Sequence, residues 1–260
     1  MAEFKNPRKR FGQNFLHDQN IINKIISAIN PKAEEPIIEI GPGRGALTLP
    51  VLEYVNQLHV IEIDRDLIQW WQDKNLGNLT IHPVDALKVN ICEIEHKQPF
   101  RVIGNLPYNI STPLLFHLFE QLSCIQDMHF MLQKEVVDRM TAQPGSKTYG
   151  RLSVMTQFYC QAQALFTVSA NSFDPPPKVE SAIIRLTPNT DAYEVNAQQL
   201  GKIVQQAFSQ RRKTIRNSLK NWFDATQLES LGIDPTARPE TLDLATFIKL
   251  ATAFQQHLPK

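Results

Sequence analysis

Net charge is nearly absent: 27 Lys and Arg stand against 26 Asp and Glu, so the total gives no argument for a polyanionic partner. Long apolar runs are missing too. No stretch approaches the roughly 18 residues a spanning helix needs, and the opening Met1-Ala2-Glu3-Phe4-Lys5-Asn6-Pro7 lacks a signal peptide's apolar segment. Neither membrane insertion nor export is expected, and the cytoplasm is the expected compartment. Cysteine is scarce: Cys92, Cys124 and Cys160 are odd in number and fit neither a disulfide framework nor a CxxC metal knuckle, so reduced thiols are expected. The seven His are scattered, with no pair at metal-ligand spacing. His17 and His129 read as structural, Trp70, Trp71 and Trp222 as packing residues, and no zinc, iron or P-loop site is expected. There is no internal repeat and no low-complexity stretch. The remaining composition, 42% hydrophobic and 20% charged over 260 residues, is ordinary globular usage with length for one large domain or one and a half.

Charge is uneven locally. Between Val195 and Phe223 stand Lys202, Arg211, Arg212, Lys213, Arg216 and Lys220 with no Asp or Glu, and Lys5, Arg8, Lys9 and Arg10 are opposed only by Glu3. The run Arg211, Arg212, Lys213 and Arg216 suits phosphates and ordered RNA grooves.

From Pro36 to Phe130 strand-length apolar runs alternate with segments long enough for crossover helices: Ile37–Ile40, Leu58–Ile61, Leu79–Ile81, Val102–Ile103 and His129–Leu132. This predicts an α/β domain with a doubly wound parallel sheet. After Gly150, the runs Gln163–Val168 and Ser181–Leu186 flank a loop carrying Pro175-Pro176-Pro177, which predicts a hairpin at the sheet edge. Past Pro188 the period changes: Leu200, Ile203, Val204 and Ala207 form a helical stripe, and Leu244, Phe247, Ile248, Ala251 and Phe254 another behind Asp243 as N-cap. The expected division is a domain over 1–188 and a small helical one over 189–260.

Glu39-Ile40-Gly41-Pro42-Gly43-Arg44-Gly45 turns from the first strand toward a helix. In a dinucleotide fingerprint the third glycine comes three residues after the second; here it comes two after. That spacing, with an acid two residues before Gly41, points away from nicotinamide and toward S-adenosylmethionine. Glu62 ends the second strand, 21 residues after Gly41, where a carboxylate can accept from both ribose hydroxyls; Asp64 reads as a turn residue. Asp85 could accept from an adenine amino group or cap a helix.

The fourth strand runs into Asn105-Leu106-Pro107-Tyr108. The lone pair of an exocyclic amine is delocalised into its ring. A methylating site must therefore accept hydrogen bonds from both N–H groups and draw the nitrogen toward tetrahedral geometry. The Asn105 side chain and the Leu106 carbonyl can be those acceptors, Pro107 stiffens the turn, and Tyr108 can stack on the base. Phe173, in a proline-stiffened loop, could close the other face of a flipped base or pack beneath the loop.

Together Lys9–Leu16, Glu39–Thr48, Asn105–Tyr108, Phe173–Ser181 and Arg211–Asn217 resemble the bacterial small-subunit ribosomal RNA adenine dimethyltransferases over nearly the whole chain. The resemblance implies a class I methyltransferase fold, Rossmann-like and seven-stranded with an antiparallel edge hairpin, plus a C-terminal helical domain that recognises RNA. It implies dimethylation of N6 of two adjacent adenosines in a hairpin loop near the 3′ end of 16S ribosomal RNA, with a role in subunit biogenesis. By position, Asn14, Leu16, Gly41, Glu62, Asp85 and Asn105 would contact S-adenosylmethionine. No metal or membrane would be needed, and a single copy is expected to act on RNA within the small subunit. Alternatives are a 23S ribosomal RNA adenine methylase, an assembly factor whose binding outweighs its catalysis, and a nicotinamide oxidoreductase.

Overall fold

The apolar runs of the sequence become the strands of a seven-stranded sheet in a computed structural model, which describes residues 14–190, 193, 195–210 and 212–257. In chain order the elements are β1 (Phe15–Leu16), α1 (Gln19–Ile29), β2 (Ile37–Ile40), α2 (Thr48–Leu52), β3 (Leu58–Ile61), α3 (Arg65–Asp73), β4 (Leu79–His82), β5 (Phe100–Asn105), α4 (Ser111–Phe119), β6 (Ile125–Gln133), α5 (Lys134–Met140), α6 (Arg151–Tyr159), β7 (Cys160–Val168), β8 (Phe173–Asp174) and β9 (Ser181–Pro188). Helices α7 (Ala197–Phe208), α8 (Ile215–Ser218), α9 (Ala225–Ser230) and α10 (Leu244–His257) follow.

The main sheet runs β4-β3-β2-β5-β6-β9-β7. Its first five strands are parallel, and β9 is antiparallel to β6. Strand β2 is the middle one of the five parallel strands and has all four residues buried, as expected where both faces of a parallel strand are covered; β4, at the edge, is only half-buried. The chain leaves β2 toward β3 on one side and later returns to β5 on the other. That reversal opens a crevice beyond the C-terminal ends of the strands. Gly104 lets β2 and β5 approach there: a Cβ at that position would stand 2.6 Å from the Ile40 carbonyl oxygen.

At the other end of β5 lies a buried ion network. The Arg101 guanidinium makes a two-pronged contact with Asp127, Nε to Oδ1 at 2.9 Å and Nη2 to Oδ2 at 3.0 Å. It also donates to Glu35 at 2.8 Å and to the Ile29 carbonyl at 2.7 Å, tying α1 to the sheet. His129 is buried on β6 with Nδ1 3.7 Å from Asp127, too long for a hydrogen bond. Burial works to raise the Asp127 pKa, but the His129 ring and the guanidinium outweigh it and draw the carboxyl down to about 2.

The thiol expectation is corrected. Cys92 and Cys124 form a disulfide, with Cα atoms 5.4 Å apart. The crossover from β4 to β5 contains a 3-10 turn, Ile91–Glu93, that packs beside another, Leu122–Cys124, just before β6. Parallel topology thus joins residues whose sequence spacing carries no signal. Cys160 is free and buried, and burial pushes its thiol up to about 12.

Two compact units divide the chain. Among the described residues, one holds those up to Val137 with Gln163–Pro188, the other Asp138–Ala162 with those from Asn189 onward. The helical unit therefore takes in α6, a segment the sequence reading places in the first domain. Leu200, Ile203, Val204 and Ala207 of α7 are buried, as their spacing predicts. On α10 Phe247, Leu250, Ala251 and Ala253 are buried; Phe247 and Ala251 belong to the predicted stripe, while its Leu244, Ile248 and Phe254 are only half-buried, and Asp243 caps the helix by accepting from the Thr246 amide at 2.8 Å.

Candidate active site

A cavity of about 280 Å³ occupies the crevice, and nine of the expected residues line it: Asn14, Leu16, Gly41, Glu62, Asp85, Asn105, Leu106, Pro107 and Tyr108. They arrive from several places in the chain. The wall around Asn14 to Leu16 belongs to β1, which pairs with β8, Leu16 opposite Phe173. The floor is the glycine turn after β2. Gly45, at φ +88°, could not carry a side chain, because a Cβ would meet the Trp71 ring at 2.7 Å. The Trp71 indole in turn donates to the Gly43 carbonyl at 3.1 Å and holds the turn in shape. Sequence pattern suggests only packing for Trp71; its partner lies 28 residues back, beyond the reach of local spacing.

Glu62 sits at the end of β3, 7% exposed. Its Oε1 accepts from the backbone amides of Ile63 and Asp64 at 2.8 and 2.9 Å. A carboxylate has about four acceptor positions, so capacity remains toward the cavity. Burial raises its pKa, while the amides of Asp64, Ile63 and Gly43 favour the charged form. Asp64 is the N-cap of α3 and accepts from the Asp66 amide, the turn role expected of it. Asp85 Oδ1 accepts from the Leu87 amide at 3.0 Å, a turn contact with no helix to cap, and the residue also lines the cavity.

Glu39, buried at the base, accepts from the Thr48 hydroxyl at 2.6 Å. Burial pushes its carboxyl up to about 7, with the Thr48 hydrogen bond pulling down and the Glu62 charge adding to the rise. A carboxyl held above its ordinary 4.5 binds its proton more tightly when folded. The stability it contributes is complete below about pH 4.5 and is lost as pH rises through about 7. Glu39→Gln cannot ionise, so its unfolding free energy should decline less than wild type across that window. Parallel curves from chemical denaturation would show that Glu39 titrates normally.

The Asn105 amide nitrogen donates to the Asn14 carbonyl at 3.1 Å, which leaves Oδ1 as an acceptor at the cavity. The Leu106 amide donates to the Met131 carbonyl at 3.1 Å and roots the motif in the sheet. Tyr108 is half-buried, with its hydroxyl 2.6 Å from Ser181 Oγ. Burial raises the tyrosine pKa, partly offset by that hydrogen bond.

Phe173 requires a correction. Its ring is 2% exposed, packed in the apolar cluster with Leu16, Ile22 and Ile183, and it does not line the cavity. Of the two readings open for it, the structure gives the ring packed beneath its loop; pairing with Leu16 makes it a support for the cavity wall.

In the helical unit Arg212, Lys213 and Arg216 are exposed. Ile215, Ser218 and Leu219 bury the opposite side of α8, and the Ile215 amide donates to the Ala237 carbonyl at 2.7 Å. Arg211 and the Lys5–Arg10 cluster lie outside the described residues. No helix of the described residues is long and apolar enough to cross a membrane, and no three His, Cys, Asp or Glu among them gather where a metal ion could sit.

Residues 4–256 match the ribosomal RNA adenine dimethylase family. A ribosomal RNA small subunit methyltransferase A from Citrobacter koseri is 54% identical over 258 residues, 97% of this chain and 94% of that one. Among solved structures, a dimethyladenosine transferase from Plasmodium falciparum matches with a TM-score of 0.80 at 28% identity, covering 93% of this chain and 98% of the other. The 23S rRNA methyltransferase ErmE shares the fold, with a TM-score of 0.74 at 24% identity over 94% of this chain and all of that one. Motifs, sheet order and these likenesses converge: the chain belongs to the ribosomal RNA adenine dimethylase family and is a Rossmann-like rRNA adenine dimethyltransferase.

Proposed function

We propose that the protein transfers methyl groups from S-adenosylmethionine to N6 of two adjacent adenosines near the 3′ end of 16S ribosomal RNA. It would act as a single copy on RNA in the small subunit, in the cytoplasm, with a role in subunit biogenesis. The observation that carries this reading is the Asn105–Tyr108 motif opening onto the cavity that Glu62 and Asp85 also line.

The cavity fits the cosubstrate chemically. Among the described residues, three acidic side chains, Glu39, Glu62 and Asp85, line it against one cation, Arg44, whose guanidinium lies 4.4 Å from the Phe15 ring centre; Glu39, pushed up to about 7, is only partly charged at neutral pH. Such a site favours a ligand carrying positive charge and hydroxyl donors, which a sulfonium nucleoside provides. Glu62 would accept from the ribose, Asp85 from the adenine amino group, and the Gly41 turn would let backbone approach the ligand closely. When bound, S-adenosylmethionine supplies an activated methyl group.

The chain's own residues do the positioning. Asn105 Oδ1 and the Leu106 carbonyl accept the two N–H bonds of the target amine, Pro107 holds the turn rigid, and the Tyr108 ring stacks on the base. Neither Asn105 nor Tyr108 is a strong base, so the proton leaves to solvent after transfer.

The 54% identical relative is named for the small subunit, and this supports the 16S reading over a 23S one. Glu62→Ala should weaken S-adenosylmethionine binding by about 1–3 kcal/mol, because two buried hydroxyls lose their acceptor. Isothermal titration checks it, and an unchanged Kd would remove Glu62 from the ribose role. Neutralising Arg211, Arg212, Lys213 and Arg216 together should leave that Kd alone. Subunit affinity should fall and its salt slope flatten by about one unit for each phosphate no longer neutralised. Wild-type subunit binding at every salt concentration would make the basic run a solvated surface.

A further inference from the structure

We propose that Ser181 is a positioning residue for the target base: its hydroxyl holds the Tyr108 phenol and so fixes the plane on which the adenine stacks. The inference rests on the reading that Tyr108 is the stacking surface.

Ser181 is fully buried and is the first residue of β9. It pairs in register with Gln133 of β6, and β6 pairs with β5 through Met131 opposite Asn105. The acceptor for the amine and the anchor for the ring therefore sit on one sheet, two strands apart. The loop between them is pinned twice. Its root is held by the Leu106 amide on the Met131 carbonyl, and its tip by the 2.6 Å contact between the Tyr108 and Ser181 hydroxyls. The β9 end is itself closed onto β6 by the Lys134 amide donating to the Glu180 carbonyl at 2.9 Å.

A tyrosine ring has two rotatable bonds, and a small rotation at the first sweeps the whole stacking face. Tethering the far end of the ring to a buried strand removes that freedom before the base arrives. Methyl transfer is sensitive to such freedom, since a misplacement of about 1 Å can cost up to about 100-fold in rate. The hydroxyl is consumed by this tether, which fits a ring that works through its face rather than through proton transfer.

The test compares full-length wild type with Ser181→Ala, Tyr108→Phe, the double variant and Tyr108→Ala, measuring kcat and KM on small subunits, the S-adenosylmethionine Kd and the melting temperature. Ser181→Ala and Tyr108→Phe should each lower kcat about tenfold with cosubstrate Kd unchanged, and the double variant should be no worse than either, because both remove one and the same hydrogen bond. Tyr108→Phe touches no sheet strand, so it reports on the tether even if Ser181→Ala fails to fold. The proposal is overturned if either single variant keeps wild-type kcat, if the two losses multiply, or if kcat falls only in step with cosubstrate affinity and melting temperature. Tyr108→Ala separates the two layers. An active Tyr108→Ala removes the stacking role and this proposal with it, whereas an inactive one beside a fully active Ser181→Ala removes the positioning role alone.

Discussion

Replacing Asn105 by Ala should lower kcat by about 10²- to 10³-fold, roughly 2.7–4 kcal/mol, the range for loss of one preorganised hydrogen-bonding group at a reacting centre. The reason is differential binding. A planar amine donates only weakly shaped hydrogen bonds, and the acceptor gains most when the nitrogen has begun to pyramidalise. The Asn14 carbonyl takes the Asn105 amide nitrogen at 3.1 Å, which fixes the side chain and leaves Oδ1 as its acceptor in a residue that lines the cavity. The variant should melt near wild type, because Asn105 is only half-buried at the end of β5. Cosubstrate Kd should change far less than kcat. Turnover near wild type in a folded Asn105→Ala protein would remove the amine-acceptor role.

Arg101→Leu should do the opposite, costing stability and sparing chemistry. Removing the guanidinium leaves Glu35 half-buried without it and leaves buried Asp127 with only the His129 ring at 3.7 Å and the exposed Arg185 at 3.9 Å, and breaking a buried pair in this way costs about 3–5 kcal/mol. The effect carries a pH signature. Asp127 is held near 2 in the native state against an ordinary 3.8, so its contribution is present above about pH 3.8 and is lost as pH falls through about 2. Without Arg101 one of the two groups that draw the carboxyl down against burial is lost, so its pKa should rise from the native value. The gap between variant and wild type should therefore be widest near neutrality and narrow as pH falls. A gap that stays constant with pH would mean that packing, rather than charge, carries the loss. Below its melting temperature the variant should turn over normally, since Arg101 and Asn105 stand at opposite ends of β5.

The contrast between these two residues marks what sequence can reveal. The Asn105–Tyr108 motif and the glycine turn after β2 are legible because their chemistry is local: a strand end, a turn and the side chains that leave it. The same holds for Glu62 and Asp85, placed by their distance from strand ends, and for α7, whose apolar stripe faces inward as its spacing requires. Arg101 reads as an ordinary charge in a strand until the β5–β6 register sets it beside Asp127, 26 residues later. The same register logic hides the Ser181 hydrogen bond, the Trp71 support of Gly43 and the Cys92–Cys124 disulfide. Phe173 is open to two readings for a related reason: a stiff loop fixes a ring but does not say which side of the loop it occupies. Pairing of β8 with β1 settles that side and sends the ring into the apolar cluster.

The proposed function has one cavity present a small-subunit adenine amine to an activated methyl group. Its most direct test is to incubate the protein with methyl-labelled S-adenosylmethionine and unmethylated small or large ribosomal subunits, digest the RNA, and identify the labelled nucleoside by mass spectrometry. The expected product is N6,N6-dimethyladenosine at two adjacent positions near the 3′ end of the small-subunit RNA, with no label on the large subunit. Label confined to large-subunit RNA, or on any atom other than adenine N6, would contradict it.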